Sequence, residues 1–96
     1  MTKKTPFCLS GKIAVITGFG APKDALSNGG AIARLFAKQG AVIEGLDISA
    51  EDAQNTVEAI INAGGQVFFT SGDATVEADI DSWIKSVLQR HGRIDI

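Results

Sequence analysis

With 96 residues and a mass of 10.0 kDa the chain has room for one domain at most, a typical domain running to about 100–150 residues. An apolar share of 45% and a charged share of 21% are those of a globular protein that buries a core, which excludes disordered and fibrous classes. Nine basic against eleven acidic residues leave a net charge of −2, so no basic field exists for nucleic acid or an anionic membrane, and neither is expected as a partner.

The lone cysteine, Cys8, permits no internal disulfide, and with a single histidine it cannot complete a four-ligand zinc site; no metal site is expected, and a reducing, cytoplasmic setting is. Lys3 and Lys4 precede the apolar run Phe7-Cys8-Leu9, which is far shorter than the roughly 7–15 residues of a secretory signal core. No stretch approaches the roughly 20 apolar residues of a membrane span. The chain contains no tyrosine.

In chain order, Lys12 to Thr17 is a β-branched apolar run stopped by Gly18, the pattern of a strand buried on both faces. Gly18 to Gly30 reads as loop. A helix is predicted from about Gly30 to Gln39, with Ile32, Leu35 and Phe36 sharing a face and Gly40 as the stop. Ala41 to Leu46 is a second strand ending on Asp47, after which Ser49 is placed to cap a helix carrying Ala53, Val57 and Ile60 and closing at Gly64-Gly65. Gln66 to Thr70 is a third strand. A third helix from about Val76, capped by Thr75, aligns Val76, Ile80, Trp83 and Val87 and ends at His91-Gly92, and Ile94 to Ile96 starts another strand.

Strands alternating with helices predict an α/β fold, a Rossmann-like doubly wound parallel sheet of about three and a half strands. The first two helices should cover one face; the third should cover the other and return the chain to the first strand. A fourth strand that is only begun would leave the first with a nearly bare apolar edge, so residues 1–96 are expected to be a fragment of a longer domain.

Gly18, Gly20 and Gly29 stand between the first strand and the first helix, where bare backbone can approach a pyrophosphate and helix N–H groups can receive it. The strict G-x-G-x-x-G pattern is broken by Lys23, and the other reading is a long surface turn that needs glycine for its backbone angles. Asp47, eighteen residues beyond Gly29, stands where an acid would bond the adenosine ribose hydroxyls and repel a 2′-phosphate. With no Arg or Lys in Leu46-Asp47-Ile48-Ser49, NAD is expected over NADP; Lys23 argues the other way, and a purely local role for Asp47 ahead of the Ser49 cap is the alternative.

The run Leu9-Ser10-Gly11-Lys12-Ile13-Ala14-Val15-Ile16-Thr17-Gly18 resembles the opening of the short-chain dehydrogenase/reductases, and Gly92-Arg93-Ile94-Asp95-Ile96 resembles the segment just before their Asn-Asn-Ala-Gly stretch. Against that family's Thr-Gly-x-x-x-Gly-x-Gly loop, Thr17 and Gly18 fit, Ser27 falls on the middle glycine and Gly29 on the last, with five residues inserted. The resemblance implies a cofactor site of Gly18, Phe19, Gly20, Ser27, Asn28, Gly29, Asp47, Ile48, Asp73 and Ala74, with the Asp73 carboxylate reaching the adenine amino group. The other reading of Asp73 is that it starts the turn before Thr75.

By the same resemblance, residues 1–96 are the N-terminal part of an NAD(P)-binding domain whose parent transfers a hydride between nicotinamide and an alcohol or carbonyl carbon of a small molecule, as a homo-oligomer. The family's tyrosine, lysine, serine and asparagine lie beyond the Asn-Asn-Ala-Gly segment, so no catalytic residue is assigned and the 96 residues alone are expected to be inactive. The lengthened loop also resembles the enoyl-acyl-carrier-protein reductase branch, and a non-catalytic dinucleotide-binding or interaction module is the remaining alternative. His91, Cys8 and Trp83 are expected to be structural, and Glu77, Asp79 and Asp81 a solvated helix face. No G-x-x-x-x-G-K-[ST] or G-x-S-x-G string occurs.

Overall fold

The computed structural model describes residues 8–22, 25 and 27–96. Three strands, β1 (Ile13–Thr17), β2 (Val42–Asp47) and β3 (Gln66–Ser71), alternate with three helices, α1 (Asn28–Lys38), α2 (Ala50–Asn62) and α3 (Glu77–His91). The sheet is parallel in the order β1-β2-β3, with Ile13 opposite Val42, Val42 opposite Gln66 and Asp47 opposite Ser71. A parallel sheet needs both faces covered, because every connection is a crossover. One face packs Ala14, Phe19, Ala33, Ala41, Ile43, Ala53 and Ile60 under α1 and α2; the other packs Ile13 and Leu46 under Trp83 and Val87 of α3. The helix faces and the doubly wound pattern match the expectation.

Local chemistry moves several boundaries. The Ser27 hydroxyl accepts from Gly30 N at 2.9 Å, so α1 begins at Asn28, two residues before the predicted start. Its buried face is Gly30 and Ala33, whereas Ile32 and Leu35 are exposed. The helix lies so close to the Phe19 backbone that a Cβ on Gly30 would stand 3.0 Å from the Phe19 carbonyl oxygen, and only small residues fit beneath. Thr75 does not cap α3: Val76 holds the N-cap position without a side-chain bond and is exposed. Cys8 is exposed, and its neighbour Leu9 packs on the core instead.

The chain does return to the free edge of β1 after α3. Asp95 N and Ile96 N both donate to Ile13 O, at 2.9 and 3.2 Å, and Val15 N donates to Ile96 O at 3.1 Å. The expected strand is not regular there, because the Ile13 N–H goes to the Asp95 carboxylate at 2.8 Å rather than to a ladder carbonyl.

β2 also buries a charge. Glu44 is fully buried on the α3 face, where its Oε2 meets Arg90 Nη1 and lies 2.6 Å from His91 Nε2. Phe68 of β3 supports both partners: the Arg90 guanidinium lies 4.8 Å from its ring centroid and the His91 ring meets it edge-on at 5.5 Å. His91 is therefore no loose surface residue; it helps tie the end of α3 to the middle of the sheet.

Removing both partners, Arg90→Ala with His91→Ala, strands a buried carboxylate. The expected loss is about 3 kcal/mol, at the low end for broken buried pairs because Arg90 is half exposed. Adding Glu44→Leu to the double variant should recover most of it in denaturant unfolding, and no recovery would refute this account of the cluster. Acid unfolding offers a separate check. The Ile13 N–H, and after it the Arg93 guanidinium, hold the Asp95 carboxyl below its ordinary 3.8. A depressed folded value means that this stabilisation is full above the unfolded value and fades as pH falls through the folded one. Asp95→Ala should therefore lower stability at neutral pH, and the gap to wild type should close below about pH 4.

Candidate functional site

Because the strands are parallel, the C-terminal ends of all three lie along one edge of the sheet, and the segments that follow Thr17, Asp47 and Ser71 converge there. This is the edge where open parallel sheets bind ligands.

At the exit of β1, Gly18 N donates to Leu46 O at 2.8 Å, and Gly18 takes the left-handed backbone, φ +59°. A Cβ on Gly18 would meet nothing within 4 Å, so its Cα faces open space in front of the strand. Gly29 is the opposite case. A Cβ there would stand 2.2 Å from the Gly18 carbonyl oxygen, so only glycine lets the first turn of α1 press against the end of β1. The N–H groups of Asn28 and Gly29 belong to that first turn, where no helical carbonyl reaches them and the helix dipole is positive. Ser27 is consumed locally: besides capping Gly30 N, its hydroxyl donates to Gly20 O at 2.7 Å and closes the loop.

Phe19 and Gly20, both expected at the cofactor, are tied into the body of the protein. The Phe19 side chain is fully buried, with its ring over Gly45, where any Cβ would clash with it, and 5.9 Å from the Phe69 ring. Thr56 Oγ1 donates to Phe19 O at 2.9 Å, Asn55 Nδ2 to Ala21 O at 2.9 Å, and Ala21 N to Asp52 O at 3.1 Å. These bonds stitch the loop to α2 so closely that a Cβ on Gly20 would lie 2.6 Å from Ala53 N. Sequence reasoning missed Asn55 and Thr56, whose partners are fixed only by the tertiary fold.

Gly20 acts on the neighbouring acid. Its N–H donates to Asp47 Oδ2 at 2.8 Å, while Ser49 N donates to Asp47 Oδ1 at 2.9 Å. The half-buried carboxylate is thus aimed by one backbone N–H on each oxygen, and each oxygen keeps a lone pair for a further donor. Ser49 also caps α2 through Asp52 N at 3.2 Å, so the local reading of this turn holds. Ile48 beside it is exposed.

After β3, Gly72 N donates to Asp47 O at 3.1 Å and joins the two strand ends. Asp73 Oδ1 accepts from both the hydroxyl and the N–H of Thr75, at 2.7 and 2.9 Å, and these bonds hold the Asp73 carboxyl below its ordinary value. Its Oδ2 has no part in that turn, and Ala74 next to it is exposed. Asp79, expected on the solvated face of α3, turns back to accept Asp73 N at 2.9 Å. The clue in the sequence was Val76, a residue unable to cap, followed by an acid at the third helical position.

Lys23 and Leu26 lie outside the described residues. A cleft of about 610 Å³ lies between α1 and α2, lined by Ala21, Pro22, Arg34, Asn55, Glu58 and Asn62 among others, but it does not include Gly18, Asp47 or Asp73. Among the described residues no cluster of His, Cys, Asp and Glu could hold a metal, and no helix is long and apolar enough to cross a membrane.

A family model described as Enoyl-(Acyl carrier protein) reductase matches residues 24–96. The chain is 35% identical over 86 residues to the short-chain dehydrogenase/reductase homolog YusS of Bacillus subtilis, covering 88% of this chain and 74% of that protein. Among solved structures, a 7 alpha-hydroxysteroid dehydrogenase complexed with NADH and 7-oxo glycochenodeoxycholic acid superposes with a TM-score of 0.85 at 34% identity, over 99% of this chain and 35% of its own. A metagenomic short-chain oxidoreductase in complex with NADP gives a TM-score of 0.82 at 31% identity, over 92% of this chain and 38% of its own. The chain likewise spans 32% of the length of two further curated relatives, from Thermotoga maritima and Escherichia coli. Similarity of this extent, carried by one relative across most of its length, places the chain in the short-chain dehydrogenase/reductase family.

Proposed function

We propose that residues 1–96 form the N-terminal, dinucleotide-binding part of an oxidoreductase that uses NAD in preference to NADP and acts on a small alcohol or carbonyl compound. The observation that carries this reading is the Asp47 carboxylate, fixed at the end of β2 by Gly20 N and Ser49 N and facing the exit of the glycine-rich loop. A vicinal diol donates well to such a carboxylate, whereas a 2′-phosphate beside it is repelled. No Arg or Lys stands in Leu46 to Ser49 to reverse that field.

The residues present fit the group. Pyrophosphate oxygens would lie against Gly18 and the first-turn N–H groups of Asn28 and Gly29, in the space that the missing side chain at Gly18 leaves open. Asp47 and Ile48 would hold the adenosine ribose, and Asp73 and Ala74 the adenine edge. Ser27, Phe19 and Gly20 contribute by shaping the loop. Bound there, the dinucleotide supplies the hydride acceptor or donor, and this part of the protein contributes binding and orientation. A second reading, reduction of an enoyl thioester, is favoured by the description of the matched family model and by the lengthened loop. Assaying the full-length protein against enoyl thioesters and against simple alcohols separates the two.

The cofactor reading is tested by titrating full-length wild type and Asp47→Ala with NADH and NADPH. Wild type should bind NADH more tightly, and the variant should lose about ten-fold or more in NADH affinity, the worth of a hydrogen bond to a charged group. NADPH affinity should hold or improve. A wild-type preference for NADPH would overturn the NAD assignment.

A further inference from the structure

The connection after β3 is held from two sides. On one side Gly72 N donates to the Asp47 carbonyl at 3.1 Å; on the other Asp73 N donates to Asp79 Oδ2 at 2.9 Å. Gly72 sits between these anchors, where a Cβ would come within 2.9 Å of the Leu46 side chain and 3.5 Å of Asp79. The peptide that carries Asp73 is thus pinned between β2 and the first turn of α3.

A carboxylate in the first turn of a helix ordinarily serves the dipole or reaches back to the N-cap N–H. Asp79 reaches farther, past Val76 to residue 73. Glu77 and Asp81 flank it in sequence and are exposed, so the helix has another acid in its first turn. What Asp79 adds is the position of Asp73. With Oδ1 of Asp73 tied to Thr75 and its N–H tied to Asp79, the side chain is fixed at both ends of its short lever, and its second oxygen is left to the open edge of the sheet.

We propose that Asp79 is the positioning residue of the adenine subsite: by accepting the Asp73 N–H it sets the Asp73 carboxylate and the adjoining Ala74 peptide against the amino edge of the base. This rests on the assignment of Asp73 to adenine made above. Asp79 touches no part of the dinucleotide itself. It makes recognition of the base a property of α3, the helix on the far side of the sheet from α1 and α2.

The test compares NADH with reduced nicotinamide hypoxanthine dinucleotide, in which an acceptor oxygen replaces the adenine amino donor, by fluorescence titration of the full-length protein. Wild type should prefer NADH by about ten-fold or more, since a lost bond to a charged group leaves that group facing an acceptor. Asp79→Ala should reduce the preference to about three-fold or less while thermal unfolding shows a folded protein. Asp79→Ser, too short to reach residue 73 yet still polar in the first turn, should do the same and serves if the alanine variant does not fold. Asp79→Asn, whose side-chain oxygen accepts the same N–H, should keep the wild-type preference.

If the Ala and Ser variants weaken both dinucleotides equally and keep the ratio, Asp79 is structural only and the proposal fails, while the assignment of Asp73 stands. If the Asn variant loses the ratio as fully as Ala does, charge and not hydrogen-bond geometry is responsible, and the proposal also fails. If wild type does not discriminate at all, the assignment of Asp73 to adenine falls, and this inference with it.

Discussion

The close contact between Gly29 and the Gly18 carbonyl is the constraint on which the candidate site depends. With 2.2 Å available where a Cβ would stand, the first turn of α1 can press against the end of β1 only with glycine at position 29, and the positive end of the helix is thereby placed at the exit of β1. The chain between the two glycines must then form a closed excursion. The Ser27 hydroxyl closes it by joining Gly20 O to Gly30 N, and α2 braces it through Asp52, Asn55 and Thr56. A longer loop than the family pattern is tolerated because its first residues are packed as part of the core, with Phe19 as the anchor.

Much of this was legible. Hydrophobic runs bounded by glycines placed all three strands, and the alternation of strand and helix named the fold, because parallel strands need crossovers and crossovers need helices. The place of Asp47 at the end of β2 was legible too, since the end of an apolar run is a linear feature. The packing of Phe19 and Gly20 was not: a glycine and a neighbour in a glycine-rich loop look alike in sequence whether or not they are packed against the next helix. The difference lies in Gly45, one strand away, whose missing side chain makes the space for the Phe19 ring.

Glu44 and Asp79 escaped for a related reason. Each is an acid whose role is set by a partner outside its own element: Arg90 and His91 are more than forty positions from Glu44, and Asp79 turns back over the start of its helix to residue 73. Acids on predicted surface positions are ordinarily solvated, and the expectation for Glu77 and Asp81 held on that ground. Fold-level reasoning is strong where periodicity carries the information. It is weak where a single polar side chain reaches across an element boundary.

β2 shows how these requirements meet in one strand. Its central position gives it neighbours on both edges and helices on both faces, so each residue answers to a different part of the molecule. Ile43 faces the α1–α2 core, Glu44 draws in the end of α3, Gly45 yields its space to Phe19, and Leu46 returns to the α3 face while its carbonyl receives Gly18 N. Asp47 then ends the strand with its side chain tied to the loop and its carbonyl tied to Gly72. The glycine loop, the Asp47 carboxylate and the segment after β3 are therefore not three independent attachments. They share one strand, so a shift of β2 would move all three together.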